Sequence, residues 1–327
     1  MEIYLGIDIG SVSTNVVAIN DKMEIVFNKY IRTNGQPIPS VKEGLKELQQ
    51  STQGMTVKAV GATGSGRQMV GLMVGADVVK NEITAHTAAT VHFHPDTNTI
   101  FEIGGQDSKI IILQDGLVTD FAMNTVCAAG TGSFLDHQSE RLGVPIDEFG
   151  SLALTTDKKV RIAGRCTVFA ESDMIAKQQF GFTKAEIIKG LCDALVRNYI
   201  NNLGRGKTLR PPFVFQGGVA ANQGIIRAFE EEVGCEITIP KYYGVMGAIG
   251  SAILAREHIN KVGGQTKFRG FDIVDLNFVP TSTECSDCSN SCEVIRVESN
   301  NEILAMWGDR CGKWSAQTQG KKIAANV

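Results

Sequence analysis

The sequence lacks the features that direct a chain to a membrane or to nucleic acid. No apolar run approaches the roughly 20 residues that a membrane-spanning helix needs. The start, MEIYLGIDIG, has neither the basic region nor the small-residue cleavage site of a signal peptide. Lysine and arginine (32) do not outnumber aspartate and glutamate (35), so no basic surface for nucleic acid is indicated. We expect a cytoplasmic protein that binds neither a membrane nor nucleic acid.

Length and cysteine content set two further limits. A chain of 327 residues is longer than a single hydrophobic core usually supports, so two lobes and an appendage are expected. Its 8 cysteines would stay reduced in the cytoplasm, where ligands and unpaired thiols are commoner than disulfides.

Three glycine-rich turns each follow a predicted strand and combine glycines with polar side chains. Their candidate site residues are Asp8, Gly10, Ser11, Val12, Ser13 and Thr14 in the first turn, Gly104, Gly105, Gln106 and Asp107 in the second, and Gly217, Gly218 and Asn222 in the third. Backbone N–H groups and hydroxyls of such turns bind phosphate oxygens. A carboxylate at a strand end can hold Mg²⁺, directly or through water, which makes Asp8 a candidate ligand.

The order of elements indicates two related α/β lobes in tandem. A strand, a tight turn and a second strand, followed by helices, occur from residue 3 and again from residue 99, without a strict sequence repeat. Further predictions are helices over 130–142, 184–202 and 244–259, a polar loop after 142, and short strands near 160–165 and 237–239.

In this order and spacing the three turns resemble the ATPase core shared by sugar kinases, Hsp70 and actin. The resemblance implies two RNase H-like lobes that clamp ATP, with the first two turns on the phosphates and the third under adenosine. Asp8 and Asp107 would face each other across the cleft and hold Mg²⁺ and the attacking water. Gln106 and Asp107 are both candidates, by position, for the residue that orients that water. We therefore predict lobe I as 1–96, completed by helix 244–260 with Gly247 at the nucleotide, lobe II as 97–243, and an extension over 263–327.

Two isolated cysteines, Cys127 and Cys166, each lie just before a predicted helix and have no CxxC neighbour. A helix N-terminus lowers the pKa of a thiol and stabilises an anionic centre. One chain cannot supply four thiolates from this pair, but a two-fold dimer with a [4Fe–4S] cluster on its axis can. Two buried thiols without a ligand are the alternative.

Three segments carry a closer resemblance: Cys127-Ala-Ala-Gly-Thr-Gly-Ser-Phe-Leu, Ile103-Gly-Gly-Gln-Asp-Ser-Lys and Gly217-Gly-Val-Ala-Ala-Asn. They resemble the activator component of 2-hydroxyacyl-CoA dehydratases, the ATPase subunits of benzoyl-CoA reductase and the reductase of double-cubane cluster proteins. The likeness covers about residues 1–260. It implies a homodimer that holds one [4Fe–4S] cluster through Cys127 and Cys166 of both subunits, with Gly130, Thr131 and Gly132 as further nucleotide-site candidates.

The same resemblance implies that ATP drives one low-potential electron to an iron–sulfur partner enzyme, with ferredoxin or flavodoxin as the donor. Lowering a one-electron potential by about 300 mV costs about 7 kcal/mol, which suits ATP. Because helix 130–142 follows closely on the turn of Asp107, a lobe movement would swing that helix with its cluster. The alternatives are a small-molecule kinase and an Hsp70-like nucleotide-switched binding protein, which share the ATPase core.

The last part of the chain is rich in cysteine. Cys285, Cys288, Cys292 and Cys311 are expected to bind zinc or an iron–sulfur cluster, with an empty tail as the alternative. A hairpin of strands 293–297 and 303–307 would return Cys311 to the other three. Cys192 and Cys235 are expected to be structural thiols.

Overall fold

The computed structural model describes residues 1–125, 127–299 and 302–317. The chain forms two units, one made of Met1–Ala85 with Gly247–Val327 and the other of His86–Met246. The division falls inside the helix Glu82–Phe93 rather than after residue 96. The lobe assignment made from the sequence stays a prediction, and residues 300, 301 and 318–327 of the predicted extension lie outside the described part.

The elements alternate as expected for an α/β protein. In chain order they are β1 (Glu2–Ile9), β2 (Ser13–Asn20), β3 (Ile25–Arg32), α1 (Pro37–Ser51), β4 (Thr56–Gly64), α2 (Arg67–Val74), β5 (Val78–Val79), α3 (Glu82–Phe93), β6 (Thr99–Ile103), β7 (Ser108–Gln114) and β8 (Leu117–Asn124). There follow α4 (Gly132–Leu142), α5 (Ile146–Ala153), α6 (Thr167–Gln179), α7 (Lys184–Leu203), β9 (Phe213–Gln216), α8 (Gln223–Val233), α9 (Met246–Val262), β10 (Val279–Glu284), β11 (Glu293–Ser299) and β12 (Glu302–Trp307).

Both units start with the same strand arrangement. The first sheet has the order β3-β2-β1-β4-β5, with β2 antiparallel and β4 parallel to β1. The second has the order β8-β7-β6-β9, with β7 antiparallel and β9 parallel to β6. The predicted structural repeat is confirmed. Each unit has a three-strand meander, and in each unit a fourth strand pairs in parallel with the first strand of that meander.

Small residues let α9 pack directly on the first sheet. A Cβ at Gly6 would lie 1.8 Å from the carbonyl oxygen of Ala248, and a Cβ at Gly61 would lie 2.0 Å from that of Ser251. Such distances are below any real Cβ contact, so only glycine allows this approach. The small residues of α9 therefore serve backbone packing.

The core of the second unit is centred on stacked aromatic rings. Phe101 of β6 stacks on Phe229 of α8 with ring centroids 4.9 Å apart, and Tyr199 of α7 meets both rings edge-on. The Tyr199 hydroxyl donates to the carbonyl oxygen of Lys109 in β7, which fixes α7 against the sheet. Offset and edge-on rings add about 0.5–1.5 kcal/mol per pair beyond burial.

The C-terminal segment forms an antiparallel sheet in the order β10-β11-β12 and contributes to the core of the first unit through Val297 and Leu304. The predicted hairpin is confirmed as β11 and β12. Residues 263–268, expected to be a linker, are held by Asp77, which accepts hydrogen bonds from Thr266 and Lys267 at 2.7 and 2.8 Å.

Three local predictions were wrong. The loop after Leu142 contains α5, which starts after Pro145 with Asp147 and Glu148 in its first turn, a favourable helix start. Residues 157–166 form no strand, and at 237–239 there is only a single bridge, between Thr238 and Val214. In the described ranges, no helix is both long and apolar enough to cross a bilayer.

Candidate functional site

Asp8 ends the central strand of the first unit beside two unsatisfied oxygens. The strand register places it opposite Asn15 of β2 and Thr63 of β4. Asn15 Oδ1 and Thr63 Oγ1 are buried and have no hydrogen-bond partner among the described residues. A carboxylate, an amide oxygen and a hydroxyl at one strand end match the oxygen ligands, or the water shell, of Mg²⁺. Sequence reasoning missed Asn15 and Thr63 as site residues, although both lie at strand ends next to Asp8.

The turn after Asp8 is closed by its own backbone. Gly10 N–H donates to the carbonyl oxygen of Ser13 at 2.8 Å, and the Thr14 hydroxyl lies 3.0 Å from that of Thr33. The Thr14 hydroxyl thus has a structural partner, whereas Ser11 is exposed. The roles of Gly10, Ser11, Val12, Ser13 and Thr14 at the nucleotide stay predictions.

In the second unit, Asp107 is held by a buried ammonium group. Lys109 Nζ lies 2.8 Å from Asp107 Oδ2 and 2.9 Å from Glu102 Oε2, and both Lys109 and Glu102 are almost completely buried. Gly104 N–H donates to the Asp107 carbonyl at 3.0 Å and closes the turn. Gln106 is exposed beside it. The ion pairs fix the position of the Asp107 carboxylate, and the sequence did not reveal Glu102 and Lys109 as its partners.

The third turn follows a buried polar network. The Gln216 amide lies 3.0 Å from His86 Nδ1 and accepts from the Thr90 hydroxyl at 3.0 Å. Burial, with a smaller contribution from Lys109, lowers the pKa of His86 from 6.5 to about 3. His86 is therefore a neutral core histidine.

The predicted adenosine contacts lie in different units. Gly217 N–H donates to the Tyr243 carbonyl at 2.9 Å, Gly218 opens a short 3-10 turn, and Asn222 caps α8. Asn222 Nδ2 is buried without a partner in the described part of the chain. Gly247 belongs to α9 of the first unit. The shared role of these residues at adenosine stays a prediction, as does the pairing of Asp8 with Asp107.

Cys127 lies at the start of a 3-10 turn, Ala128–Gly130, and not at the start of a long helix. The helix predicted over 130–142 begins at Gly132, since Thr131 is extended. Asn124 holds the cysteine on both sides, accepting from Cys127 N–H at 2.9 Å and donating to its carbonyl at 2.7 Å. The Thr131 hydroxyl donates to the Ala128 carbonyl oxygen, and Thr131 and Gly130 are both buried. Both residues therefore have a packing role.

Cys166 is the N-cap residue of α6. The extended segment before it is held by side chains: Ala163 N–H donates to Asp173 at 2.8 Å, Arg197 donates to the Ile162 carbonyl at 2.6 Å, and Asn198 donates to the Gly164 carbonyl. The Cys127 and Cys166 thiols are both half-buried and unpaired. Two of the holding residues, Arg197 and Asn198, belong to α7, which also packs against the turn after Cys127.

The turn of Asp107 is hydrogen-bonded directly to the start of α4. Gly132 N–H donates to the Gly104 carbonyl at 2.9 Å, and Ser133 N–H donates to the Gly105 carbonyl at 2.7 Å. The Ser133 hydroxyl adds a bond of 2.5 Å to the same Gly105 oxygen. A displacement of this turn would therefore be passed to α4 and to the short segment that carries Cys127.

The other two cysteines of the second unit differ in burial. Cys192 is buried in α7, and burial raises the pKa of its thiol strongly, as expected for a core thiol. Cys235, expected to have a structural role, is exposed. Among the described residues, no three histidine, cysteine, aspartate or glutamate side chains are gathered around one metal position. The metal assignments of Cys127, Cys166, Cys285, Cys288, Cys292 and Cys311 stay predictions.

The paired sheets and their three turns define the class of protein. Both the duplicated strand order and the comparison with solved structures give the actin-like ATPase fold, with the small cysteine-rich sheet added to it. Residues 5–255 match the BadF/BadG/BcrA/BcrD ATPase family, and the chain belongs to that family.

Several relatives are similar over nearly their whole length. The (R)-2-hydroxyglutaryl-CoA dehydratase activating ATPase of Acidaminococcus fermentans is 35% identical over 260 residues, covering 78% of this chain and 98% of that protein. The activator of lactoyl-CoA dehydratase of Anaerotignum propionicum is 33% identical over 263 residues, covering 79% and 98%. The activator of the 2-hydroxyisocaproyl-CoA dehydratase from Clostridium difficile, solved with bound ADPNP, has a TM-score of 0.73 and 30% identity, covering 81% of this chain and 99% of that one.

Proposed function

We propose that this protein is an ATP-dependent reductive activator, in which ATP hydrolysis drives single-electron transfer from a dimer-bridging [4Fe–4S] cluster to an iron–sulfur acceptor enzyme. Membership of an ATPase family, and relatives named as dehydratase activators, support ATP-dependent activation. The observation that carries the proposal is the set of hydrogen bonds from the Gly104–Gly105 turn to α4. These bonds connect a predicted phosphate turn to the start of α4, which follows the predicted cluster ligand Cys127 within the same unit.

The residues of the two turns fit a bound MgATP. In the first unit, the Asp8 carboxylate with the unsatisfied oxygens of Asn15 and Thr63 would hold Mg²⁺ or its waters. In the second unit, Lys109 would hold the Asp107 carboxylate in position for the attacking water. A relative of 30% identity was solved with bound ADPNP, which supports a nucleotide site in the same fold.

The cysteine pair fits an anionic cluster. Both thiols start helical segments, where backbone N–H groups favour negative charge. A cavity of about 1330 Å³ is bordered by Arg165, the residue before Cys166, and by the further basic residues Arg161, Arg197 and Arg205. Positive charge there would offset the charge of four thiolates around iron. Held by Cys127 and Cys166 of both subunits, a bound cluster would supply a one-electron redox couple, for which we propose ferredoxin or flavodoxin as the electron donor.

Exposed apolar side chains near both cysteines support the homodimer. Val168 and Phe169 of α6, which follow Cys166 after one residue, are 63% and 65% exposed, and Phe121 and Met123 of β8, the strand before Cys127, are exposed too. Large apolar side chains grouped on a surface mark interaction sites. Covering them with a second copy would bring two pairs of thiols together on a two-fold axis, as a shared cluster requires.

The acceptor is proposed to be an iron–sulfur enzyme of the 2-hydroxyacyl-CoA dehydratase kind or a double-cubane cluster protein. The names of the relatives, which are activators of three dehydratases, support a dehydratase partner. We propose that this protein and its acceptor enzyme act in the reducing cytoplasm, where unpaired thiols persist.

Anaerobic purification of cysteine variants tests the proposal. Cys127→Ser or Cys166→Ser should abolish the broad visible absorbance and the bound iron, because each change removes two of four thiolates from a dimer. Cys235→Ser, which alters an exposed thiol in the same unit, should keep both. Full iron content in either Cys127→Ser or Cys166→Ser would refute the ligand assignment.

A further inference from the structure

The topology of the C-terminal sheet places all four of its cysteines at one end. β10 and β12 are both antiparallel to β11, so they run in the same direction. The loop 285–292, which follows β10, and the segment 308–314, which follows β12, must therefore leave the sheet at the same end. Cys285, Cys288 and Cys292 belong to the loop, and Cys311 belongs to the segment.

Backbone hydrogen bonds close the loop at the first and third of these cysteines. β10 and β11 end their pairing at Glu284 and Glu293, and Cys285 N–H then donates to the Cys292 carbonyl at 2.8 Å. Cys285 and Cys292 thus face each other across the neck of the loop, where opposed Cβ atoms are about 4.5–5.5 Å apart. Ser291 N–H donates to the Cys288 carbonyl at 3.2 Å, which turns the loop back toward Cys292.

The segment after β12 folds back onto this loop. The indole N–H of Trp314 lies 3.3 Å from Cys285 Sγ, and Lys313 forms an ion pair with Asp287. Asp309 accepts from Trp314 N–H at 2.9 Å and shapes the turn that carries Cys311. N–H groups directed at ligand atoms are the kind of outer contact that surrounds metal centres.

The loop and the segment that carry the four cysteines have no hydrophobic core of their own. Every side chain of β10 is exposed, and no residue in 285–292 or 308–316 is buried. The buried residues of the segment, such as Val297 and Leu304, lie on the strands and belong to the core of the first unit. Small modules of this kind usually gain their stability from a disulfide or a structural metal.

We propose that Cys285, Cys288, Cys292 and Cys311 bind one Zn²⁺ ion through four thiolates. A tetrahedral site with Zn–S bonds of about 2.3 Å needs sulfurs about 3.8 Å apart. Opposed residues at a hairpin neck can provide that spacing, whereas the four thiolates of a [4Fe–4S] cluster bind four different irons and lie further apart. Because no three ligands are gathered in the described residues, binding requires the side chains to turn inward, and exposed Cys288 and Cys311 have the room to do so.

The site is independent of the proposed electron transfer, since the family match ends at residue 255. Its test is metal analysis of the full-length protein purified in air without added metal. We expect about one zinc per chain for the unmodified protein and for Cys235→Ser, and a loss of at least fivefold for Cys288→Ser and Cys311→Ser. Loss of iron from the shared cluster in air does not change the measured zinc content.

Cobalt substitution of the unmodified protein keeps the test valid if a variant fails to fold. Removal of zinc followed by one equivalent of Co²⁺ should give the d–d bands of tetrahedral cobalt with strong thiolate charge transfer. Absence of zinc together with no cobalt spectrum would overturn the proposal. Iron with acid-labile sulfide that survives in Cys127→Ser but disappears in Cys288→Ser would overturn it as well.

Discussion

At the scale of single residues, the second unit has a charged triad at the turn of Asp107, in which Lys109 and Glu102 are buried. Lys109 lies between Glu102 and Asp107 in a part of the sheet that water scarcely reaches. Burying charged side chains costs free energy. Buried ion pairs are therefore kept where fixing the position of a side chain matters more than stability. Here the position of the Asp107 carboxylate is what the triad determines.

Replacing Lys109 should therefore affect both stability and catalysis. Lys109→Met leaves Glu102 buried without its cation, and we expect a loss of about 3–5 kcal/mol in the free energy of unfolding. Urea unfolding measures this loss, and ATPase activity should fall with it. Lys58→Met, which removes an exposed ion pair with Glu2, should leave the free energy of unfolding nearly unchanged. Equal effects of the two changes would contradict the account of the triad.

Asp8 offers a second test at this scale. Asp8→Asn keeps the shape of the side chain but removes the charge that would hold Mg²⁺, so kcat for ATP hydrolysis should fall about 100-fold or more. Asp21→Asn changes a carboxylate of the same unit that only accepts a hydrogen bond from Tyr4, and it should leave kcat nearly unchanged. Unaltered ATP turnover in Asp8→Asn would remove Asp8 from the site.

His86 should make stability depend on pH. The folded protein holds the group neutral, with a pKa of about 3, whereas the unfolded chain takes up a proton near 6.5. Since the unfolded state binds more protons between these values, stability is complete above pH 6.5 and falls as the pH drops toward 3. The slope from this residue is about 1.4 kcal/mol per pH unit.

Thermal or urea unfolding between pH 7 and pH 4 measures the effect of His86. His86→Asn should flatten the pH dependence relative to the unmodified protein. His92→Gln alters a histidine of the same helix at its other end and should leave the slope unchanged. A slope that is the same in all three proteins would show that His86 titrates normally.

At the scale of elements, the contact of the Gly105 turn with α4 is the proposed link between ATP and electron transfer. Ser133→Ala removes the hydroxyl bond to Gly105 and keeps the backbone bond. Because one hydrogen bond contributes about 0.5–1.5 kcal/mol, we expect up to a tenfold drop in electrons transferred per ATP, with ATP hydrolysis within about twofold. Stopped-flow reduction of an acceptor with parallel phosphate release measures both.

The matched control for this contact is Ser151→Ala. Its hydroxyl bonds only to Glu148 within α5, so the ratio of electrons to ATP should not change. If Ser133→Ala behaves in the same way, the turn and α4 are not coupled through this hydroxyl.

Elements whose signal is local were predictable from the sequence. Composition and periodicity indicate the glycine-rich turns, the strands before them and the hairpin β11–β12. They do not show that segment 157–166 stays outside the sheet. Its backbone groups instead form hydrogen bonds with Asp173, Arg197 and Asn198, which belong to helices later in the chain. The same holds for Asn15 and Thr63, whose approach to Asp8 depends on the register of three strands.

At the scale of the whole molecule, two other functions share the ATPase core. A small-molecule kinase needs a substrate pocket with a catalytic carboxylate, and a nucleotide-switched binding protein needs only a change of affinity for its partner. Neither function needs Cys127 and Cys166 directly before helical turns, or the hydrogen bonds from the Asp107 turn to the start of α4. The exposed apolar side chains beside both cysteines also favour the dimeric electron-transfer protein.

Native mass spectrometry of protein purified without oxygen tests this account most directly, because it reports subunit number and bound iron together. The account predicts a dimer that carries one [4Fe–4S] cluster, beyond any metal of the C-terminal sheet. A monomer that holds neither iron nor inorganic sulfide and still hydrolyses ATP would contradict it.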